Sequence, residues 1–254
     1  MEIDILYEDP DVVIIDKPSR VMVHADGRSQ TGDTIADWHL ARIPTAQGVG
    51  EEMTLPDGTS LDRPGIVHRL DSETSGVLVL AKHQAAFEYL KKQFHDRQAQ
   101  KEYRAFVYGY IKEEKGVIDR PIGRSAKDFR LKSAQRGARG VLRDAYTEWV
   151  RLATVRDTSE IDGGYSYLSL KPKTGRTHQL RVHAKSINHP IVHDRLYAPV
   201  HVRRNPHALD FTRLALHAHT LTITLPSGVH ETFTAPLPDE FLRAAQQLER
   251  EGEV

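Results

Sequence analysis

At 254 residues the chain suits one large domain or two small ones, and it can bury roughly 70–75% of its unfolded surface. It has no cysteine, which excludes disulfides, thiolate metal sites and cysteine nucleophiles and suits a reducing compartment. Its 35 basic and 35 acidic side chains balance, so bulk charge gives no argument for nucleic acid; with no signal-peptide pattern and no apolar run of membrane-spanning length, a cytoplasmic protein is expected.

Ile5-Leu6-Tyr7 and Val12-Val13-Ile14-Ile15 read as short strands joined by a turn at Glu8-Asp9-Pro10-Asp11. Asp33 or Thr34 is placed to cap a helix reaching Ile43, with Ile35, Trp38, Leu40 and Ala41 on its apolar side and Pro44 as its stop. Residues 46–64, rich in Gly, Pro and acids, read as a long loop.

The stretch 65–82 has two halves. Val77-Leu78-Val79-Leu80 reads as a strand buried on both faces. Before it, His68, Arg69, Asp71, Ser72, Glu73, Thr74 and Ser75 form a polar cluster held against the interior, where an ionised Asp is expensive unless paired. Such a cluster either shapes a turn through side-chain hydrogen bonds or forms a site. Asp71 is the candidate for the second role.

Residues 84–94 carry Ala86, Phe87, Leu90 and Phe94 at helical spacing, with Lys91, Lys92 and Gln93 toward water. Residues 101–110 alternate, with Tyr103, Ala105, Val107 and Gly109 on one face, and a crossover connection from the buried strand is suggested. A short strand at 116–118 leads into a basic block. Residues 120–143 hold eight Lys or Arg and one acid, Asp128, and read as a solvated surface or as an arm over a phosphate backbone.

Strands follow at 145–153 and 165–170, with a turn at Asp162-Gly163-Gly164. A second polar cluster occupies 171–183. Gly175 permits a turn and Thr177 caps a helix through Ile187, with Thr177, Arg181 and Lys185 on one face and Leu180, Ala184 and Ile187 as a buried stripe. A Gly-Arg-Thr turn into a helix suits a phosphate, but it matches no nucleotide fingerprint, so no nucleotide cofactor is expected. Segments 214–217, 221–225 and 230–235 read as three strands of a meander, closed by a helix over 238–249 with Phe241, Leu242, Ala245 and Leu248 inward. The class is α+β with a mainly antiparallel sheet.

The fourteen His residues include no metalloprotease spacing, and although His217 and His219 share a strand face, no metal site is expected. No nucleophile elbow is present. What remains is Asp71, an Arg-rich cluster in which Arg181 can keep a carboxylate ionised by pairing with it, and Tyr103, whose ring suits stacking on a base.

These residues resemble a known family. His68-Arg69-Leu70-Asp71 with Thr74-Ser75-Gly76, then Lys101-x-Tyr103-x-Ala105-x-Val107-x-Gly109, then Thr174-Gly175-Arg176-Thr177-His178-Gln179-Leu180-Arg181-Val182-His183 are similar, in order, to motifs of the RluA family of pseudouridine synthases. So are Tyr7-Glu8-Asp9 to Asp16-Lys17-Pro18, His189-Pro190-Ile191 with Asp194, Leu216-His217-Ala218 and Ala235-Pro236, which extend the match from about residue 5 to 242.

The resemblance implies one catalytic domain with a mixed, mainly antiparallel sheet and an active cleft, without the small RNA-binding domain that many members carry ahead of it. It implies isomerisation of uridine to pseudouridine in ribosomal or transfer RNA, with no metal or organic cofactor. Asp71 matches the nucleophilic carboxylate, Tyr103 the ring that stacks on the target base and helps its deprotonation, and Arg181 the basic partner of the Asp. The atom that Asp71 attacks stays open. Arg69 matches the residue that holds the flipped nucleotide's place. His68, Arg176 and His178 are assigned to substrate binding, with Arg130 and Arg136 of the basic block. His193 departs from the pattern by standing where the family has Gly. A monomer is expected. The rival readings are a catalytically silent RNA-binding protein of the same fold and a metal-dependent hydrolase.

Overall fold

The computed structural model describes residues 1–25, 34–54, 58, 60–128, 131–156, 163–202 and 208–252. Asp33, Arg130 and Asp162 lie outside the described residues. In chain order the elements are β1 (Asp4–Glu8), β2 (Val12–Lys17), α1 (Ile35–Arg42), β3 (Met53–Thr54), β4 (Ser60–Leu61), β5 (Ser75–Ala81), α2 (Gln84–His95) and β6 (Gln100–Tyr108). Next come β7 (Lys115–Asp119), β8 (Ile122–Arg124), β9 (Lys132–Ser133), β10 (Arg139–Arg143), β11 (Tyr146–Arg156), β12 (Gly164–Pro172), α3 (Gln179–Ser186), β13 (Leu216–Thr224), β14 (His230–Thr234) and α4 (Asp239–Gly252). The class is α+β with mainly antiparallel pairing. No helix among the described residues is long and apolar enough to cross a membrane.

Two compact units divide the chain: Met1–Gln100 with Ala218–Pro236, and Lys101–His217 with Leu237–Val254. In the first unit the strands lie in the order β1, β2, β5, β13, with β14 on β13. The sequence forms β1 and β2 because Asp9 closes their turn: its carboxylate accepts the amides of Asp11 and Val12, both at 2.8 Å. Every residue of β5 is buried, as its unbroken apolar run predicts. Val12, Ile14, Val77, Val79, Phe87, Leu90, Ile223 and Phe233 share one core.

Three expectations change here. Thr34 does cap α1 in a reciprocal pair with Asp37, but the inward face is Ile35, Ala36 and His39, while Ala41 is exposed. Gln93 is buried rather than wet, because it exchanges two hydrogen bonds with the backbone of Thr224 at 2.7 and 2.9 Å. The acidic stretch 46–64 contains a small hairpin, β3 with β4, and a 3-10 turn at Pro44–Ala46 leads into it.

The second unit orders its strands β6, β12, β11, β7, all antiparallel neighbours. α4 packs on this sheet through Phe241, Ala244 and Leu248; Leu242, expected inside, is exposed. Phe106, Tyr167, Phe211 and Phe241 form an aromatic cluster with Phe106 and Tyr167 stacked at 4.3 Å. The basic block folds into its own sheet, β10–β8–β9. The first two of the three C-terminal strands merge into one, β13, because Ala218-His219-Thr220 holds no Gly or Pro to break it.

Candidate active site

In the first unit the Asp71 loop is tied down from several sides. Lys17 is fully buried, and its ammonium donates to the carbonyl oxygens of Pro18, Val21 and Ser72 at 2.7, 2.9 and 3.1 Å. Each of these acceptors answers a donor that burial takes away from water. Leu70 is buried, and the Thr74 amide donates to the Asp71 carbonyl at 3.1 Å to close the turn. Asp71 itself is half-buried between these anchors.

Glycine is required at both ends of the loop. A Cβ on Gly76 would sit 2.1 Å from the Ala218 carbonyl oxygen, and one on Gly65 would sit 2.2 Å from that of Ala81. Both have positive φ, at 113° and 69°, so a side chain is refused twice over.

His68 and Arg69 occupy the same loop as Asp71. His68 stacks on Phe94 at 4.5 Å, and its Nε2 accepts the Val79 amide at 3.2 Å, so its proton is on Nδ1. Arg69 is exposed and donates to Nε2 of His24 at 3.1 Å, while Nδ1 of His24 donates to the Ala25 carbonyl at 2.7 Å.

In the second unit Tyr103 is half-buried on β6, opposite Leu170 of β12, with its ring against the aromatic core. Lys101 shares its face of the strand two residues earlier. Burial pushes the Lys101 ammonium down from its ordinary pKa, and its Nζ lies 3.9 Å from where a Gly175 Cβ would stand.

Arg181 is 3% exposed and pairs in two-point fashion with the fully buried Asp194: Nε to Oδ2 and Nη2 to Oδ1, each at 2.8 Å. Oδ1 of Asp194 also accepts the amides of Leu196 and Tyr197 at 3.0 Å. Tyr197 then gathers the neighbourhood. The Arg181 guanidinium lies 5.2 Å over its ring, His178 Nδ1 lies 2.7 Å from its hydroxyl, and the Lys132 amide donates to that hydroxyl at 3.2 Å.

A saturated polar network sets the helix that carries Arg181. Gln179 Oε1 accepts from the Thr174 hydroxyl and the Arg176 amide; its Nε2 donates to the Tyr146 carbonyl and the Thr147 hydroxyl. Thr147 donates onward to Nδ1 of His183, whose Nε2 donates to the Arg120 carbonyl. Burial lowers the His183 pKa and keeps it neutral. All of α3 except Lys185 is buried, so the helix has no wet face. Thr177 is not its cap. His178 stands there in the left-handed region with φ 56° and no side-chain cap.

The loop therefore brings His68, Arg69 and Asp71 together, and Tyr197 brings His178 and Arg181 together. Arg176 is half-buried and donates to the Asp144 carbonyl at 2.9 Å. Arg136 is exposed between β9 and β10. Arg130 is outside the described residues, and no group of three His, Asp or Glu positioned as metal ligands occurs among the described residues. Sequence reasoning missed the roles of Asp194, Tyr197 and Gln179. The Asp-x-x-Tyr spacing, which lets a carboxylate cap its own following turn, was the available signal.

A model of the RNA pseudouridylate synthases matches residues 11–186. An uncharacterised RNA pseudouridine synthase of Synechocystis is 37% identical over 244 residues, 94% of this chain and 67% of that one. The ribosomal large subunit pseudouridine synthase D of Borreliella burgdorferi is 37% identical over 240 residues, again 94% and 67%. Among solved structures, human RNA pseudouridylate synthase domain containing 1 matches with a TM-score of 0.71 at 27% identity, covering 93% of this chain and 84% of that one.

Proposed function

The chain belongs to the RluA family of RNA pseudouridine synthases, and on that premise we propose that Asp71, Tyr103 and Arg181 carry its reaction on a flipped-out uridine of ribosomal RNA. The enzyme isomerises uridine to pseudouridine in RNA. The bond between N1 of uracil and C1′ of ribose breaks, the base turns, and C5 bonds to C1′. C5 then gives up its proton and N1 gains one, so no atom enters or leaves overall.

In this reading Asp71 is the nucleophile, and one observation carries it. Asp71 sits half-buried in a turn pinned by the Lys17 ammonium and by buried Leu70, at the entrance of a strand with no exposed residue. A carboxylate so held loses little freedom on reaching a near-attack position. Arg181 is assigned to the reaction with its fork held in two-point fashion by Asp194, the carboxylate that the structure gives it. Tyr103 stacks on the base, which offsets roughly 1–3 kcal/mol of the cost of unstacking it. Arg69, His68, Arg176 and His178 hold the nucleotide and its neighbours, and Arg130 and Arg136 meet phosphates.

Three relatives bear the name ribosomal large subunit pseudouridine synthase D, which favours ribosomal over transfer RNA as substrate. The protein works as a cytoplasmic monomer without cofactor. Pseudouridine mapping of total RNA with and without the gene tests the substrate: a site lost from ribosomal RNA supports the reading, and loss confined to transfer RNA overturns that part. Asp71→Asn keeps the shape and removes the charge. It is expected to abolish turnover while retaining RNA binding, and measurable turnover would sink the assignment.

A further inference from the structure

The balanced charge of the chain conceals a partition. The unit containing residues 101–217 and 237–254 holds 25 Lys and Arg against 17 Asp and Glu, a surplus of eight positive charges; the other holds 10 against 18, a surplus of eight negative. Within the positive unit, the sheet β10–β8–β9 and the turn at Gly175 line a cavity of about 540 Å³. Arg124, Lys132, Arg143 and Arg176 face it, and among the described residues no acidic one lines it. Among the described residues, Arg124, Lys132 and Arg143 enter no ion pair with a carboxylate. Arg176 gives its Nε to the Asp144 carbonyl, which fixes the fork without neutralising it. Four cations around one cavity repel one another, and an anion there relieves that repulsion.

The outer wall adds an apolar element. All five residues of β10 are exposed, and Val141, which also lines the cavity, is 81% exposed between Arg139 and Arg143. A side chain of Cβ size or larger on Gly123 would collide with Leu142 at 2.7 Å, so the sheet closes tightly behind the groove while Val141 points to solvent. Three arginine forks suit the paired oxygens of phosphates, with which they form two-point bonds. An apolar residue beside them suits the face of a sugar or base.

We propose that this groove is a subsite for consecutive phosphates of a single RNA strand outside the target nucleotide, with Val141 packing on the adjoining sugar or base. It rests on the reading of the chain as an enzyme acting on RNA. Arg124, Lys132 and Arg143 thereby become positioning residues for substrate.

The test uses the full chain, a labelled single-stranded RNA of mixed sequence for binding, and in vitro transcribed ribosomal and transfer RNA for turnover. The triple variant Arg124→Ala, Lys132→Ala, Arg143→Ala is expected to weaken binding at least about tenfold and to flatten the plot of log K against log salt by roughly 0.7 for each phosphate no longer neutralised. Activity that falls at low RNA returns as RNA is raised. Val141→Asp weakens binding more than Val141→Ala. The single variant Lys132→Gln, with its melt, reads the same effect if the triple variant is unstable. Unchanged affinity and slope in both would overturn the groove, even if the wild type makes pseudouridine. Inorganic phosphate competing as well as RNA does, phosphate for phosphate, would make it a small-anion site and also overturn it. If the variants weaken binding but the wild type modifies neither RNA, the groove stands and the catalytic reading falls.

Discussion

Arg181 and Asp194 face each other as a closed two-point pair, both bonds at 2.8 Å and both side chains buried. A buried pair of this kind adds little net stability when present but is costly to break, since it leaves one charge alone. Asp194→Ala is therefore expected to destabilise the protein by about 3–5 kcal/mol. Asp194→Asn, which keeps an acceptor for the fork and for the turn, costs less. Arg181→Lys keeps the charge and loses the fork, so turnover should fall by roughly a hundredfold through misplacement. Urea melts beside turnover assays check the order wild type, Asn, Ala; equal stability of all three would contradict it.

Lys17 supplies a second prediction. Lys17→Met keeps much of the volume but leaves the carbonyls of Pro18, Val21 and Ser72 without their common donor. The expected loss is about 2–4 kcal/mol, and turnover should fall further than stability explains because Ser72 adjoins Asp71. Full activity in a destabilised Met variant would detach the lysine from the site.

Gly76→Ala places a Cβ against the Ala218 backbone at a φ that side chains resist. The neighbour is backbone in a buried strand, so it cannot swing away. A loss of at least about 3 kcal/mol is expected by chemical denaturation. Gly137→Ala provides the contrast: nothing lies within 4 Å, so only backbone strain opposes it.

Acid sensitivity follows from two histidines. Burial lowers the pKa of His39 and of His183 below 6.5. His39 donates from Nε2 to the Ala81 carbonyl, and its Nδ1 has no partner, so protonation would create a buried donor with nothing to meet it. The unfolded chain binds these protons more readily than the folded one. Their contribution is therefore complete above about pH 6.5 and drains away as pH falls through and below that value, by at most about 1.4 kcal/mol per pH unit for each. His39→Gln and His183→Gln should each flatten the fall in stability between pH 7 and 5, whatever they cost at pH 7. An unchanged slope in both would remove histidine from the explanation.

Much of this was legible in the chain. The apolar run at 77–80 could only be a buried strand, and the motifs around Asp71, Tyr103 and Arg181 were found by their order. Contacts distant in sequence were not legible. Gln93 looks like a surface residue at helical spacing, and only its link to Thr224, 131 positions away, takes it inside. Asp194 lies 13 residues from Arg181, across a turn whose His193 holds φ 58°. His is among the non-glycine residues that most readily take the left-handed conformation, so its standing where the family has Gly marked the turn, while the pairing across it was not legible.

The burial of all of α3 but Lys185 has a consequence for isotope labelling. An eight-residue helix ordinarily frays, and its amides trade hydrogen for deuterium through that fraying. Here the Gln179, Thr147 and His183 bonds pin its first turn and its middle to β11, so an amide between 182 and 186 reaches solvent only when those bonds part together. Its exchange rate should therefore report the opening of the whole second unit, and native-state exchange at those few positions would measure that unit's stability without denaturant.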